Sequence, residues 1–212
     1  MSSATPSAVR MIDGPAGRLE ALLDEPGPSP RAAVVFAHPH PQFGGSMHTK
    51  VVYRSAKALR RIGCATLRFN FRGVGKSDGS FDSGRGEADD FRAGIDWLAE
   101  KYPGVPLWAG GFSFGAWIAL SVGAADPRVS LLLGIAPPTN HDFQALREST
   151  KPKFLIHGES DDIFSVQEAR QLYAELKEPK ELVVIDAADH LFDGKVSEVG
   201  DAIEDLLGDF DR

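Results

Sequence analysis

Cysteine is nearly missing from this chain: Cys64 is the only one among 212 residues. One cysteine closes no internal disulfide, so no disulfide framework organises the fold. Its place between Gly63 and the apolar Ala65–Leu67 marks it as a small buried residue. No apolar run is long enough to span a bilayer. The opening MSSATPSAVR lacks the charged-then-apolar pattern of a secretory signal. Positive charge is in deficit, with 23 Lys and Arg against 30 Asp and Glu, a formal net charge of −7. An acidic chain repels phosphate backbones and anionic lipid, so neither nucleic acid nor a membrane is expected as a partner. A cytoplasmic location is expected.

What is present is ordinary for a globular protein: 42% hydrophobic and 25% charged residues, in a length that suits one domain with a sizeable core. Residues 1–8 are small and polar and are expected to be disordered, leaving 9–212 as a single domain. Val9–Ile12 and Arg18–Leu23, around Asp13-Gly14-Pro15, read as an N-terminal hairpin. Then strands and helices alternate. Ala32–Ala37 is a continuous apolar run, as expected of a strand buried on both faces. Ala65–Phe71, Val105–Ala109, Val129–Ile135, Lys153–His157 and Leu182–Asp186 read as further strands. Between them lie helical spacings: Val52, Ala56, Leu59 and Ile62; Ala88, Phe91, Ile95 and Leu98; Phe114–Ala124; Val166 to Leu176; and Val196 to Leu206. Ser165 and Glu168 form a capping box for one of them. This alternation predicts an α/β fold with a mostly parallel central sheet and helices on both faces. In such sheets, functional groups collect beyond the carboxyl ends of the strands.

One motif stands at such an end. Gly111-Phe112-Ser113-Phe114-Gly115 fits G-x-S-x-G, between the strand at Val105–Ala109 and a helix starting at Phe114. That strand–turn–helix setting separates a nucleophile elbow from an ordinary glycine-rich turn. The turn lifts the Ser113 hydroxyl off the sheet and presents the Phe114 amide to an oxyanion. A serine hydroxyl needs a base, and the expected chain order is serine, acid, histidine. His190, in Ala187-Ala188-Asp189-His190-Leu191 after the last strand, is the expected base. His157 ends a strand ahead of Gly158, whose turn is expected to carry it away from the elbow, and His141 falls between strands. The acid is expected in His157-Gly158-Glu159-Ser160-Asp161-Asp162, where it would hold the imidazole tautomer. Adjacent side chains diverge, so only one aspartate serves; Asp161 is favoured over Asp162, and Asp142 is the weaker candidate.

GFSFG, HGESDD and ADH together resemble the loops of the α/β-hydrolase superfamily. AHPHPQFGGSMHTKVV and TLRFNFRGVGKSDGSFDSGRGE are similar, more narrowly, to small lidless bacterial hydrolases related to the dienelactone-hydrolase-like enzymes, from about Arg31 to His190. The resemblance implies an α/β-hydrolase fold without a lid domain and hydrolysis of small carboxylic esters, with thioesters or lactones, or a non-catalytic binding role, as alternatives. Its H-G-x-x-D pattern falls on His157, Gly158 and Asp161, which is the main reason to prefer Asp161 over Asp162. Its oxyanion loop falls on His38–Gly45, where Pro39 and Pro41 lack an N–H, leaving the His40 amide as second donor. One departure is Ser113 itself, where dienelactone hydrolases proper are expected to carry cysteine.

Other motifs carry less. His38, His40 and His48 have no acid or cysteine near them in sequence, so a loop-shaping role is expected rather than a metal site. Gly73-Val74-Gly75-Lys76-Ser77 would need glycine at position 70 to be a phosphate loop, and Asn70 stands there. No cofactor is expected. The connection from Ala136 to Lys151 is too short for a lid, which leaves an open acyl site walled, by loop position, by Phe43, Phe112, Phe114, Phe164 and Phe192.

Overall fold

The computed structural model describes residues 9–210; the expectation for residues 1–8 lies outside them. Strands β1 (Val9–Gly14), β2 (Gly17–Asp24), β3 (Ala32–Ala37), β4 (Cys64–Phe69), β5 (Leu107–Phe112), β6 (Val129–Ile135), β7 (Lys153–Gly158) and β8 (Lys180–Ile185) form one sheet, in the order β1-β2-β4-β3-β5-β6-β7-β8. The N-terminal hairpin is antiparallel, and β2 runs antiparallel to β4. From β4 to β8 every pairing is parallel.

The helices are α1 (Lys50–Arg61), α2 (Arg85–Lys101), α3 (Phe114–Ala125), α4 (Gln144–Glu148), α5 (Val166–Glu175) and α6 (Val196–Leu207). The two-residue period of a strand sorts its side chains between them. On β3, Ala33, Val35 and Ala37 pack with residues of α2 and α3, whereas Ala32, Val34 and Phe36 pack with residues of α1 and α6. Both faces are therefore covered, and the strand carries no polar residue because neither side meets water. Cys64 lies in the α1–α6 layer, fully buried, and burial pushes its thiol up to about 12. No described helix is long and apolar enough to cross a membrane.

Several strand ends move relative to the sequence reading, among them those of β5 and β4. β5 extends through Gly110 and Gly111 to Phe112, and β4 stops at Phe69. Glycine is a poor strand former, but this stretch has partners on both sides, β3 and β6, and the ladders override local preference. The Asn70 N–H still donates to Glu20 O of β2, one position past the Ala21–Phe69 pair, and the chain leaves the sheet at Phe71, whose amide turns to the His38 ring.

The β6–β7 connection holds only the five-residue α4. At the far edge, a groove of about 440 Å³ runs between β8 and α6, with Glu181, Asp201 and Asp205 among its lining residues.

Candidate active site

Ser113 sits at the junction of β5 and α3 with φ 53° and ψ −123°. A non-glycine residue in that region is strained and persists only where its surroundings hold it. Three contacts do so here. The Ser113 N–H donates to Ile135 O at 2.8 Å, extending the β5–β6 ladder one residue past the strand. A Cβ on Gly111 would lie 2.3 Å from Gly115 O, and one on Gly115 would lie 2.4 Å from His38 O. The start of α3 is thus pressed against the end of β3, and only glycine permits either approach.

His190 follows β8, and its Nε2 lies 2.9 Å from Ser113 Oγ. Its Nδ1 lies 2.8 Å from Asp161 Oδ2. Because an ionised carboxylate only accepts, this network assigns the proton to Nδ1 and turns the Nε2 lone pair toward the serine. All three residues are buried, and Ser113 keeps only 8% of its surface exposed. The other Asp161 oxygen accepts the Ile163 and Phe164 amides, both at 2.9 Å. Burial alone would raise the Asp161 carboxyl. The His190 hydrogen bond and the two amides outweigh it, and the group is held below the usual carboxylate range. Asp162, one residue on, is exposed.

His157 lies beside Asp161. It is fully buried, its Nε2–H donates to Phe164 O at 2.7 Å, and the same nitrogen lies 3.4 Å from Asp161 Oδ2. Gly158 makes the turn, but the acid loop folds back over the histidine that precedes it. Burial lowers the His157 pKa.

In the loop after β3, His38 is fully buried: Nδ1–H donates to Pro39 O at 2.6 Å and Nε2 accepts the Phe71 amide at 3.0 Å. Burial pushes its pKa down to about 4. Both nitrogens are spent inside the protein, which makes His38 a fixture of the loop. The His40 ring accepts the Gln42 amide at 3.2 Å and caps the 3-10 turn Pro41–Phe43. Among the described residues, neither the His40 nor the Phe114 amide donates to a protein acceptor within hydrogen-bond range. The Lys76 N–H and the Ser77 hydroxyl of the other glycine-rich loop donate to Glu20 Oε2 and Asn70 O, tying that loop to β2 and to the residue after β4.

The expected wall needs correction. Phe112 and Phe192 are fully buried in the α1–α6 layer and line nothing open. Loop position fixed their neighbourhood but not the face they point to. Phe43 is 86% exposed. Phe81, Trp117 and His141 instead join His40 and Phe114 in one cluster of rings; they come from three separate segments, and no local pattern links them.

The fold agrees with comparisons to known proteins. The family model described as serine aminopeptidase, S33, matches residues 28–147, which includes the elbow and the loop after β3 but ends before Asp161. An uncharacterized protein of Rickettsia prowazekii is 39% identical over 207 residues, 92% of this chain and 87% of its own length. The structure of an α/β serine hydrolase homologue from Coxiella burnetii is similar at 36% identity and TM-score 0.91, covering 97% of this chain and 100% of that one. An α/β serine hydrolase without a lid from Xanthomonas campestris is similar at 38% identity and TM-score 0.87, covering 95% and 93%. The chain belongs to the serine aminopeptidase (S33) family and is a lidless α/β serine hydrolase.

Proposed function

We propose that this hydrolase cleaves small carboxylic esters through an acyl-enzyme intermediate, with Ser113 as nucleophile, His190 as base and Asp161 as the residue that orients the imidazole. The observation that carries the reading is the unbroken relay from Ser113 Oγ to His190 to Asp161, at 2.9 and 2.8 Å. In this reading, His190 Nε2 takes the serine proton as Oγ attacks the ester carbonyl. The imidazolium that forms is stabilised by the Asp161 carboxylate. The oxyanion is received by the Phe114 amide, at the start of α3, and by the His40 amide. Collapse transfers the proton from His190 to the departing alcohol, and water repeats the sequence on the acyl-enzyme.

An amide, as the family's aminopeptidase description implies, would use the same steps with a poorer leaving group. Running alanine p-nitroanilide beside p-nitrophenyl acetate separates the two activities. The direct test is labelling with a fluorophosphonate, read by peptide mass. The adduct is expected on Ser113, and Ser113→Ala and His190→Ala are each expected to lower kcat on p-nitrophenyl acetate by about 10⁴-fold or more, because the residues act as a unit. Near wild-type turnover in purified Ser113→Ala would remove the mechanism.

A further inference from the structure

The aromatic side chains around Ser113 fall into two groups. One touches the base: the rings of Phe112 and Phe164 lie 5.6 and 5.5 Å from that of His190. The other is a continuous strip on the oxyanion side. His40 packs against Phe43, Phe81 and Phe114 at 4.7, 5.0 and 4.9 Å. Phe114 packs against Trp117 at 5.6 Å, and Trp117 against His141 at 4.4 Å. The Trp117 indole is pinned by a 3.1 Å hydrogen bond to Asp142 O. Phe114 is nearly buried and forms the base of the strip, while Phe43 is exposed and His40, Phe81, Trp117 and His141 are half-buried. The strip therefore runs from a buried ring next in sequence to the nucleophile out to rings that reach solvent.

Reaction geometry decides which part of an ester meets that strip. On the esterase reading above, the oxyanion faces the His40 and Phe114 amides, and the leaving alcohol must approach His190 Nε2 to receive its proton. The acyl substituent then takes the remaining direction, away from His190. We infer that the strip is the acyl subsite and that it selects acids bearing an aromatic ring. Ring–ring contacts in tilted and edge-on arrangements add to what burial alone gives, roughly 2- to 12-fold in an equilibrium constant per pair. A flexible alkyl chain on an open wall gains no such contact and must be ordered to lie on it. Burial also lowers both His40 and His141 from the ordinary histidine value, which favours their neutral rings.

Two substrate pairs test the inference. Methyl 3-phenylpropanoate and methyl 3-cyclohexylpropanoate differ only in the aromaticity of the acid. Benzyl acetate and cyclohexylmethyl acetate differ in the same way in the alcohol. The expected kcat/KM ratio is about tenfold in favour of the aromatic member of the first pair, and smaller in the second. Phe43→Leu and His141→Leu, which replace rings by aliphatic groups near the surface, are expected to bring the first ratio down severalfold. Each ratio is taken within one variant, so a general loss of activity cancels. A first ratio near one, a ratio unmoved in both variants, or a stronger preference in the alcohol pair would overturn the assignment while leaving the esterase reading intact. Failure to turn over any of the four esters would sink both.

Discussion

Asp161 and Asp162 are neighbours in sequence with different surroundings. Asp161 accepts two amides on one oxygen and His190 on the other, whereas Asp162 faces solvent. Asp161→Asn keeps the shape but places an amide or its carbonyl against His190, and an NH₂ there favours the tautomer that points Nε2–H at the serine. The expected cost is about 10⁴-fold in kcat on p-nitrophenyl acetate, the size seen for the equivalent change in a serine protease. Asp162→Asn is expected to stay within a few-fold. Measuring both decides the assignment, and the reverse ranking would move the acid by one residue. At this scale the sequence was readable because each candidate carries chemistry that few residue types can supply. The position of His157 beside Asp161 was not legible, because a glycine turn says where the backbone bends, not that the loop beyond returns to cover the ring.

Among the elements, the junction of β5 and α3 concentrates the constraints. It is a buried strand, a residue at positive φ and a helix start pressed onto the end of β3. Gly115→Ala places a methyl 2.4 Å from His38 O, a backbone atom that cannot swing aside. Relief requires moving α3 away from the loop after β3, which separates the two amides proposed to receive the oxyanion. The expected cost is about 3 kcal/mol of stability, or about 6–12 °C in Tm for a chain of this size, together with a fall in kcat. Unchanged Tm and kcat, read by calorimetry and ester turnover, would mean that the contact is not rigid. The strands themselves were legible where apolar runs are continuous, as in β3 and β6, whose bounds match the sequence reading. β5 was misread at both ends: Val105 turns back to Tyr102 O, while Gly110 and Gly111 look like loop but are held between two partner strands. The burial of Phe112 and Phe192 depends on which face each meets, and loop position carries no such information.

For the whole molecule, the short β6–β7 connection matters most to what substrates see. With only the five-residue α4 there, this connection is too short to fold over Ser113 as a lid. An open wall buries few methylenes, each worth about 0.8 kcal/mol when fully covered. For straight-chain acyl groups, kcat/KM is therefore expected to level off by about six carbons, with no activation at an oil–water interface. A series from acetate to palmitate checks this, and a jump in rate above the solubility limit would reveal a cover. The opposite rim of the molecule has its own consequence. β8 is the last strand of the sheet and pairs only with β7 among the described strands, so one row of its N–H and C=O groups is open. Such a row is a template for strand addition, and hence for self-association. Glu181, Asp201 and Asp205 stand beside it. Two copies meeting there would bring these carboxylates face to face, so at neutral pH the acidic surplus of the chain works as an electrostatic fence along the edge where stacking of one sheet onto another would begin.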